Sequence, residues 1–283
     1  MDRVTVIGGT GFVGDYLTEE LSKTANIQLK IIYRNTPPSK YIPGVEYLKI
    51  DTETDYKNFH QALSKTDYLI ILSRPNSKLI QSIIDSGLKF KKIVYASTVL
   101  VYPDSPSKQN ESSDLIPAND YERNKINEEK MLVDFAENSG VKLTVARLTN
   151  VYGDVKNRAL IHWILQALVK DKAFKLNNNG LPVRDFIFVR DAAKYLRLLT
   201  FLDQDLDVEI YNVCTGQGFS INQVIKKAEK VGGKKIKIQK GEVTEEKLSV
   251  IGDNRKVVKA TGFKPEYTLD NGLREAYKNY LNN

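Results

Sequence analysis

The chain has 283 residues, 41% hydrophobic and 27% charged, which suffices for one large or two smaller domains with a real core. No apolar stretch approaches the roughly eighteen residues of a membrane span, and the single cysteine, Cys214, excludes an internal disulfide and fits a reducing compartment. The formal net charge of +7 raises nucleic-acid binding as a reading. The densest basic run, Lys226 to Lys240, lacks the interleaved aromatics of a single-strand binder, so a solvated surface that attracts anionic small molecules is expected instead.

Met1-Asp2-Arg3 leads straight into Val4-Thr5-Val6-Ile7, an apolar β-branched run that reads as a buried strand. This leaves no room for a signal peptide, and a cytoplasmic location is expected. The glycines Gly8, Gly11 and Gly14 follow at once, and Tyr16 to Leu21 has helical spacing. Strand, glycine turn and helix form the setting of a dinucleotide fingerprint, in which backbone amides and the helix N-terminus face a pyrophosphate. The candidate cofactor contacts here are Gly8, Thr10, Gly11, Phe12, Val13 and Gly14. The next strand, Leu29 to Tyr33, ends at Tyr33-Arg34 where an acid for the ribose 2′-hydroxyl is usual. A guanidinium pairs with a 2′-phosphate that a carboxylate repels, so NADP(H) is expected ahead of NAD(H). Asp51 and Thr52 follow the third strand, with Asp51 the candidate partner of an adenine amine, and Leu72-Ser73-Arg74 follow the fourth, Asp67 to Ile71.

Further strands are expected near Ile93 and Leu143, so strand and helix alternate through the first 150 residues. That alternation implies an α/β fold with a doubly wound parallel sheet and ligands at the strands' carboxyl ends. Between Thr98 and the next helix lies a polar loop, Pro103 to Asn110, expected to be mobile and to cover a substrate. Tyr121 and Lys125 then stand four residues apart, on one face of a helix. An ammonium beside a phenol lowers the phenol's pKa, which suits proton transfer in a carbonyl/alcohol interconversion. Beyond Asn150 the alternation weakens. Helices are expected at His162 to Val169 and Ile221 to Val231, a turn at Asn177 to Gly180, and strands at Asp185 to Val189 and Glu209 to Val213, with Leu269 to Tyr280 as the tail. Two histidines and one cysteine do not cluster, so no metal site is expected.

Five segments in this order resemble the motifs of the extended short-chain dehydrogenase/reductase family, whose members are nucleotide-sugar epimerases, dehydratases and reductases. They are Gly8 to Gly14, Ile93 to Tyr102 with Thr98 in the catalytic place, Tyr121-x-x-x-Lys125, Arg147 to Gly153 and Arg184 to Asp191. The resemblance covers nearly the whole chain. It implies a Rossmann-like domain, residues 1–150 plus about 185–213, and a smaller α/β substrate-binding domain, residues 151–184 and 214–283. It also implies that Thr98 hydrogen-bonds the substrate carbonyl, Tyr121 supplies the proton, and Lys125 holds the nicotinamide ribose. Asn150, Arg184 and Arg255 would contact the nucleotide sugar, and a homodimer through the Tyr/Lys helix is expected.

Three departures narrow the implied activity. Sugar 4,6-dehydratases of the family carry Asp-Glu after the catalytic Thr, whereas Val99 and Leu100 stand here. The segment Arg158 to Leu165 resembles one that bears a catalytic His in the family's epimerase-reductases, making His162 a candidate substrate contact, but the cysteine paired with that His is replaced by Leu100. The missing acid at Tyr33 argues against the tightly held NAD of a C4 epimerase. The resulting expectation is an NADPH-dependent reductase of the C4 ketone of a nucleoside-diphosphate 4-keto-6-deoxy sugar, serving deoxysugar supply for surface polysaccharide such as O-antigen. The alternatives are an NAD-dependent C4 epimerase and a non-catalytic NADP(H) sensor, against which the intact Thr98–Tyr121–Lys125 set counts.

Overall fold

The computed structural model describes residues 1–281. Its first half alternates as the sequence predicts. The elements are β1 (Asp2–Ile7), α1 (Phe12–Ser22), β2 (Ile27–Tyr33), β3 (Val45–Lys49), α2 (Tyr56–Leu63), β4 (Tyr68–Ile71), α3 (Ser77–Asp85), β5 (Lys92–Thr98), α4 (Asp120–Ser139) and β6 (Lys142–Leu148). The second half holds β7 (Asn150–Tyr152), α5 (Leu160–Lys170), β8 (Phe174–Leu176), β9 (Val183–Phe188), α6 (Val189–Phe201), β10 (Val208–Val213), β11 (Gly218–Ser220), α7 (Ile221–Gly232), β12 (Ile238–Lys240), β13 (Ser249–Val250), α8 (Arg255–Thr261) and α9 (Leu269–Leu281).

Seven strands form one parallel sheet in the order β10-β6-β5-β4-β1-β2-β3. All seven residues of β5 are buried, because helices cover both faces of a central parallel strand and every position meets a core. On one face Leu17 and Leu21 of α1 and Ala192, Leu196 and Leu199 of α6 pack against Val4, Val6 and Ile31. On the other, Phe59 of α2, Ile80 and Ile83 of α3 and Leu132 of α4 pack against Leu69, Ile71 and Val145. The strand order reverses between β1 and β4, which opens a crevice at their carboxyl ends.

A second, mixed sheet holds β7, β9, β11 and β13, and β8 pairs with β12. With α5, α7 and α9 these strands enclose a separate core of Tyr152, Ile164, Leu168, Val224, Ala228 and Leu273. Residues 183–188 lie in this smaller sheet, whereas α6 and β10 return to the large one. No helix among the described residues is long and apolar enough to cross a membrane. The loop at 103–110 is tied down by the 248–253 segment. Asp104 accepts from the amides of Leu248 and Ser249 at 2.9 and 2.8 Å, Ser105 N donates to Ser249 O and Gln109 N to Ile251 O. The expected mobile cover is instead a segment held by hydrogen bonds to its neighbour, and it lines neither the glycine cleft nor the cleft of Thr98 and Tyr121.

Candidate active site

The glycine turn closes against two strands. Gly8, at φ +80, donates its amide to Ile32 O, and Gly11 N donates back to Gly8 O at 3.0 Å. Thr18 Oγ1 donates to Gly9 O at 3.0 Å, fixing the turn to α1. A Cβ on Gly14 would stand 2.3 Å from Gly8 O, so only glycine lets α1 approach this closely. No side chain caps the start of α1, leaving its first amides to face an anion. Phe12 and Val13 can offer only such backbone amides. The Phe12 ring packs on Tyr16 and the Val13 side chain on the core under the sheet.

A cleft of 380 Å³ runs from this turn along the strand ends, lined by Gly8, Thr10, Gly11, Tyr33, Arg34, Thr52, Glu53, Leu72, Ser73, Arg74 and Asn76. Two expectations change here. The Asp51 carboxylate caps its own turn by accepting from Glu53 N at 3.0 Å, and Thr52 and Glu53 line the cleft in its place. Arg34 is not a free cation, because Nη1 lies 2.5 Å from Glu53 Oε1. Glu53 also accepts from Asn76 Nδ2 at 2.9 Å. The rim therefore carries the carboxylate that the end of β2 lacks, and a 2′-phosphate would have to displace or meet it.

A second cleft of 210 Å³ shares the Leu72–Ser73–Arg74 wall with the first and is lined by Ala96, Thr98, Tyr121, Lys125, Leu148, Thr149 and Val151. The structure thus brings Thr98, Tyr121 and Lys125 together beside the glycine cleft. Thr98 ends β5, and its Oγ1 accepts from Leu100 N at 3.2 Å, which leaves its proton to donate. Its neighbour Ser97 also borders the cleft, with its hydroxyl donating to Glu129. Tyr121 stands in the first turn of α4, whose N-cap Asn119 accepts from Glu122 N at 3.0 Å. The ring is 44% exposed, and no partner of its hydroxyl is found among the described residues.

Lys125 is buried, and its three N–H donors go to Ala96 O at 2.8 Å, Tyr95 OH at 3.0 Å and Ser73 O at 3.3 Å. Burial lowers its pKa to about 8, against the raising influence of Glu128 and Glu129. The expected depression of Tyr121 by Lys125 is not what the geometry gives. Partial burial raises the Tyr121 pKa, Arg74 is the cation that opposes this, and Glu128 and Glu122 add to the rise. The lysine points past the tyrosine into the floor of the site.

The substrate candidates scatter. Asn150 Nδ2 donates to Asp185 O at 2.9 Å, tying β7 to β9, and its neighbours Thr149 and Val151 line the cleft. Arg184 spends its guanidinium on Val183 O, Lys247 O and Glu246 Oε2, at 2.9, 2.6 and 2.9 Å, because β9 runs under the 246–248 segment. His162 is buried on the inner face of α5 with Nδ1 2.6 Å from Tyr280 OH; it packs α5 on α9 and touches neither cleft. Arg255 pairs with Asp253 at 2.5 Å, its side chain 86% exposed, and lines a separate groove with Asn254, Lys264 and Tyr267. Cys214 is buried, and burial pushes its thiol well up, so it supplies no thiolate.

Several residues that build the site carry no assigned role in the sequence reading. Arg147 and Glu129 form a buried ion pair at 2.6 Å that locks α4 to β6. Lys247 inserts between Leu100 O, Tyr102 O and Glu122 Oε2, at 2.5, 2.8 and 2.7 Å. Tyr95 bridges Lys125 to Glu128. The available signals were the period-two pairing of Tyr95 with Ser97 on one strand face and Glu128-Glu129 one turn beyond Lys125.

A Rossmann-type sheet, a glycine turn opening a helix, and a Thr–Tyr–Lys set at an adjoining cleft together resemble the fold and site of the short-chain dehydrogenase/reductase class. Residues 76–214, just under half of the chain, match the model described as the NAD dependent epimerase/dehydratase family. The chain is 26% identical, over 99% of its length and 98% of the relative's, to GDP-6-deoxy-D-talose 4-dehydrogenase of Aggregatibacter actinomycetemcomitans. It is 23% identical to UDP-glucose 4-epimerase of Lactobacillus helveticus, over 98% and 96% of the two chains. Its fold superposes with a TM-score of 0.88 on UDP-glucuronic acid 4-epimerase from Bacillus cereus, solved with UDP-glucuronic acid and NAD, at 19% identity and 99% coverage of both chains.

Proposed function

We propose that the protein is a nicotinamide-dependent reductase of the C4 ketone of a nucleoside-diphosphate 4-keto-6-deoxy sugar. The observation that carries this is the wall shared by the glycine cleft and the Thr98–Tyr121–Lys125 cleft, which suits a dinucleotide lying in one and a carbonyl in the other. The bound nicotinamide would supply the hydride. Thr98 Oγ donates a hydrogen bond to the carbonyl oxygen, and Tyr121 OH gives it a proton. The buried Lys125 ammonium favours negative charge forming on that oxygen. The 3.3 Å contact with Ser73 O is its longest bond and the one a ribose hydroxyl would replace. Val99 and Leu100 beside Thr98, and a buried Cys214, offer no second acid or base for dehydration or for epimerisation next to the ketone. The name of the Aggregatibacter relative supports hydride chemistry at C4.

The cofactor we infer is NAD(H) rather than the NADP(H) expected from Arg34 alone, because Glu53 neutralises that arginine and places a carboxylate at the rim. NAD in the Bacillus cereus structure supports this choice. The same carboxylate favours a second reading, an NAD-dependent C4 epimerase, in which the hydride returns to the same sugar. Absorbance at 340 nm with NADH or NADPH and a panel of nucleotide 4-keto-6-deoxy sugars tests the proposal. Stoichiometric NADH loss with one substrate supports the reductase. No loss with any, together with NAD released on denaturation, replaces it with the epimerase. Tyr121→Phe should lower turnover about 10²- to 10⁴-fold while dinucleotide affinity is kept; unchanged turnover would remove Tyr121 as the proton donor, and dinucleotide binding with no turnover of any sugar by wild type would leave a sensor.

A further inference from the structure

Behind the catalytic lysine lies a buried polar chain that the reaction scheme above does not use. Lys125 Nζ donates to Tyr95 OH at 3.0 Å, and Tyr95 OH donates to Glu128 Oε2 at 2.5 Å. The other Glu128 oxygen accepts the amide of Asn76, the N-cap of α3. Tyr95 and Lys125 are wholly or nearly wholly buried, and Glu128 is 1% exposed.

A buried ammonium is stable only with a compensating charge, since desolvation favours the neutral amine. Facing Lys125 on β5 is Tyr95, whose hydroxyl stays protonated because burial and Glu128 both raise its pKa. On α4 there are Tyr121, Glu128 and Glu129. Glu129 is committed to Arg147 of β6 at 2.6 Å and to Ser97. Arg74, from the loop after β4, faces Tyr121 and would oppose a second cation. Glu128 is the one carboxylate of this group with no cation of its own.

We propose that Glu128, acting through the Tyr95 hydroxyl, is the counter-ion that keeps the catalytic Lys125 charged, and is therefore a positioning residue for the reaction. This rests on the functional reading of Lys125 given above. Removing the Glu128 charge leaves the ammonium desolvated with backbone carbonyls, a neutral phenol and a Glu129 carboxylate already paired with Arg147, and an opposite charge at this range is worth about one to three units of pKa. The fraction of charged Lys125, and with it the basic limb of turnover, should move to lower pH. A purely structural role for Glu128 in joining α3 to α4 would change stability without that movement.

The test is a pH titration of protein labelled with [ε-¹³C]lysine, with the Lys125 resonance assigned by its loss in Lys125→Arg. Wild type is compared with Glu128→Gln, Glu128→Asp and Tyr95→Phe. The expected result is a fall of the Lys125 midpoint by about one unit or more in Glu128→Gln, a smaller fall in Tyr95→Phe and partial retention in Glu128→Asp. The basic limb of kcat should shift in the same direction. An unmoved midpoint in folded Glu128→Gln overturns the proposal; should that variant not fold, an unmoved midpoint in Tyr95→Phe does so. The titration needs no substrate, so absence of turnover in wild type would refute the functional reading while this assignment is still decided.

Discussion

Gly14→Ala probes the joint between fold and cofactor cleft. The added methyl would sit 2.3 Å from Gly8 O and 2.6 Å from Gly9 C and Cα, where an ordinary contact begins near 3.4 Å. All three obstacles are backbone, so no rotamer change relieves them, and α1 must part from the turn by about 1 Å. The helix is pinned from behind, with Leu17 and Leu21 packed against α6, so the strain stays local. Overpacking of this kind costs about 1–3 kcal/mol. The amides at the start of α1 also leave the pyrophosphate, and losing one charged hydrogen bond, about 1.5–3 kcal/mol, weakens dinucleotide binding about tenfold or more. Gly140→Ala is the control. Gly140 ends α4 at φ +69 with nothing within 4 Å of a built Cβ, so the substitution carries only the left-handed penalty, about 1–2 kcal/mol. Denaturant midpoints and calorimetric titration with NADH read both variants. Both should be destabilised and only Gly14→Ala should bind poorly. Wild-type NADH affinity in Gly14→Ala would refute the assignment of this turn to the cofactor.

Three other outcomes follow from the same geometry. Glu53→Gln frees Arg34 from its 2.5 Å partner and should raise the ratio of NADPH to NADH affinity about tenfold, one charged hydrogen bond's worth; an unchanged ratio would show that neither residue meets the ribose. Lys247→Ala strands Glu122 in a pair whose side chains are 8% and 4% exposed, and a broken buried pair costs about 3–5 kcal/mol, read as a lowered denaturant midpoint. Asp67 is held at a pKa of about 2, first by its hydrogen bond from Arg3. A depressed carboxylate contributes stability above its unfolded pKa of about 4 and loses it as pH falls towards 2. Unfolding midpoints across that acid window should therefore fall with pH in wild type, and the fall should flatten in Arg3→Ala.

What was legible in the sequence was what backbone geometry and periodicity impose. The apolar runs at Val4, Leu29, Tyr68 and Ile93 became strands of one sheet, and the Glu209 run paired with β6 as β10. Thr98, Tyr121 and Lys125 met at one cleft because a strand end and the first turn of a helix are fixed by short-range signals. What failed were side chains whose partners lie far along the chain. Arg34 read as a free cation because Glu53 approaches only through β2–β3 pairing. Arg184 read as a phosphate ligand because nothing local shows Glu246 closing over it. His162 read as a contact because its burial depends on Tyr280, on the last helix. The two-residue spacing of Tyr95 and Ser97 and the doubled Glu128-Glu129 were visible, but which lysine or arginine each would serve was not.

The central claim is that a hydride enters the sugar at C4 beside Tyr121. The direct measurement is mass spectrometry and NMR of the sugar recovered after incubation of purified protein with a nucleotide 4-keto-6-deoxy sugar and NADH deuterated at C4 of the nicotinamide. One deuterium at sugar C4, matched by equimolar NAD, is the predicted result. Sugar without deuterium, with NADH unconsumed across the panel, would contradict it.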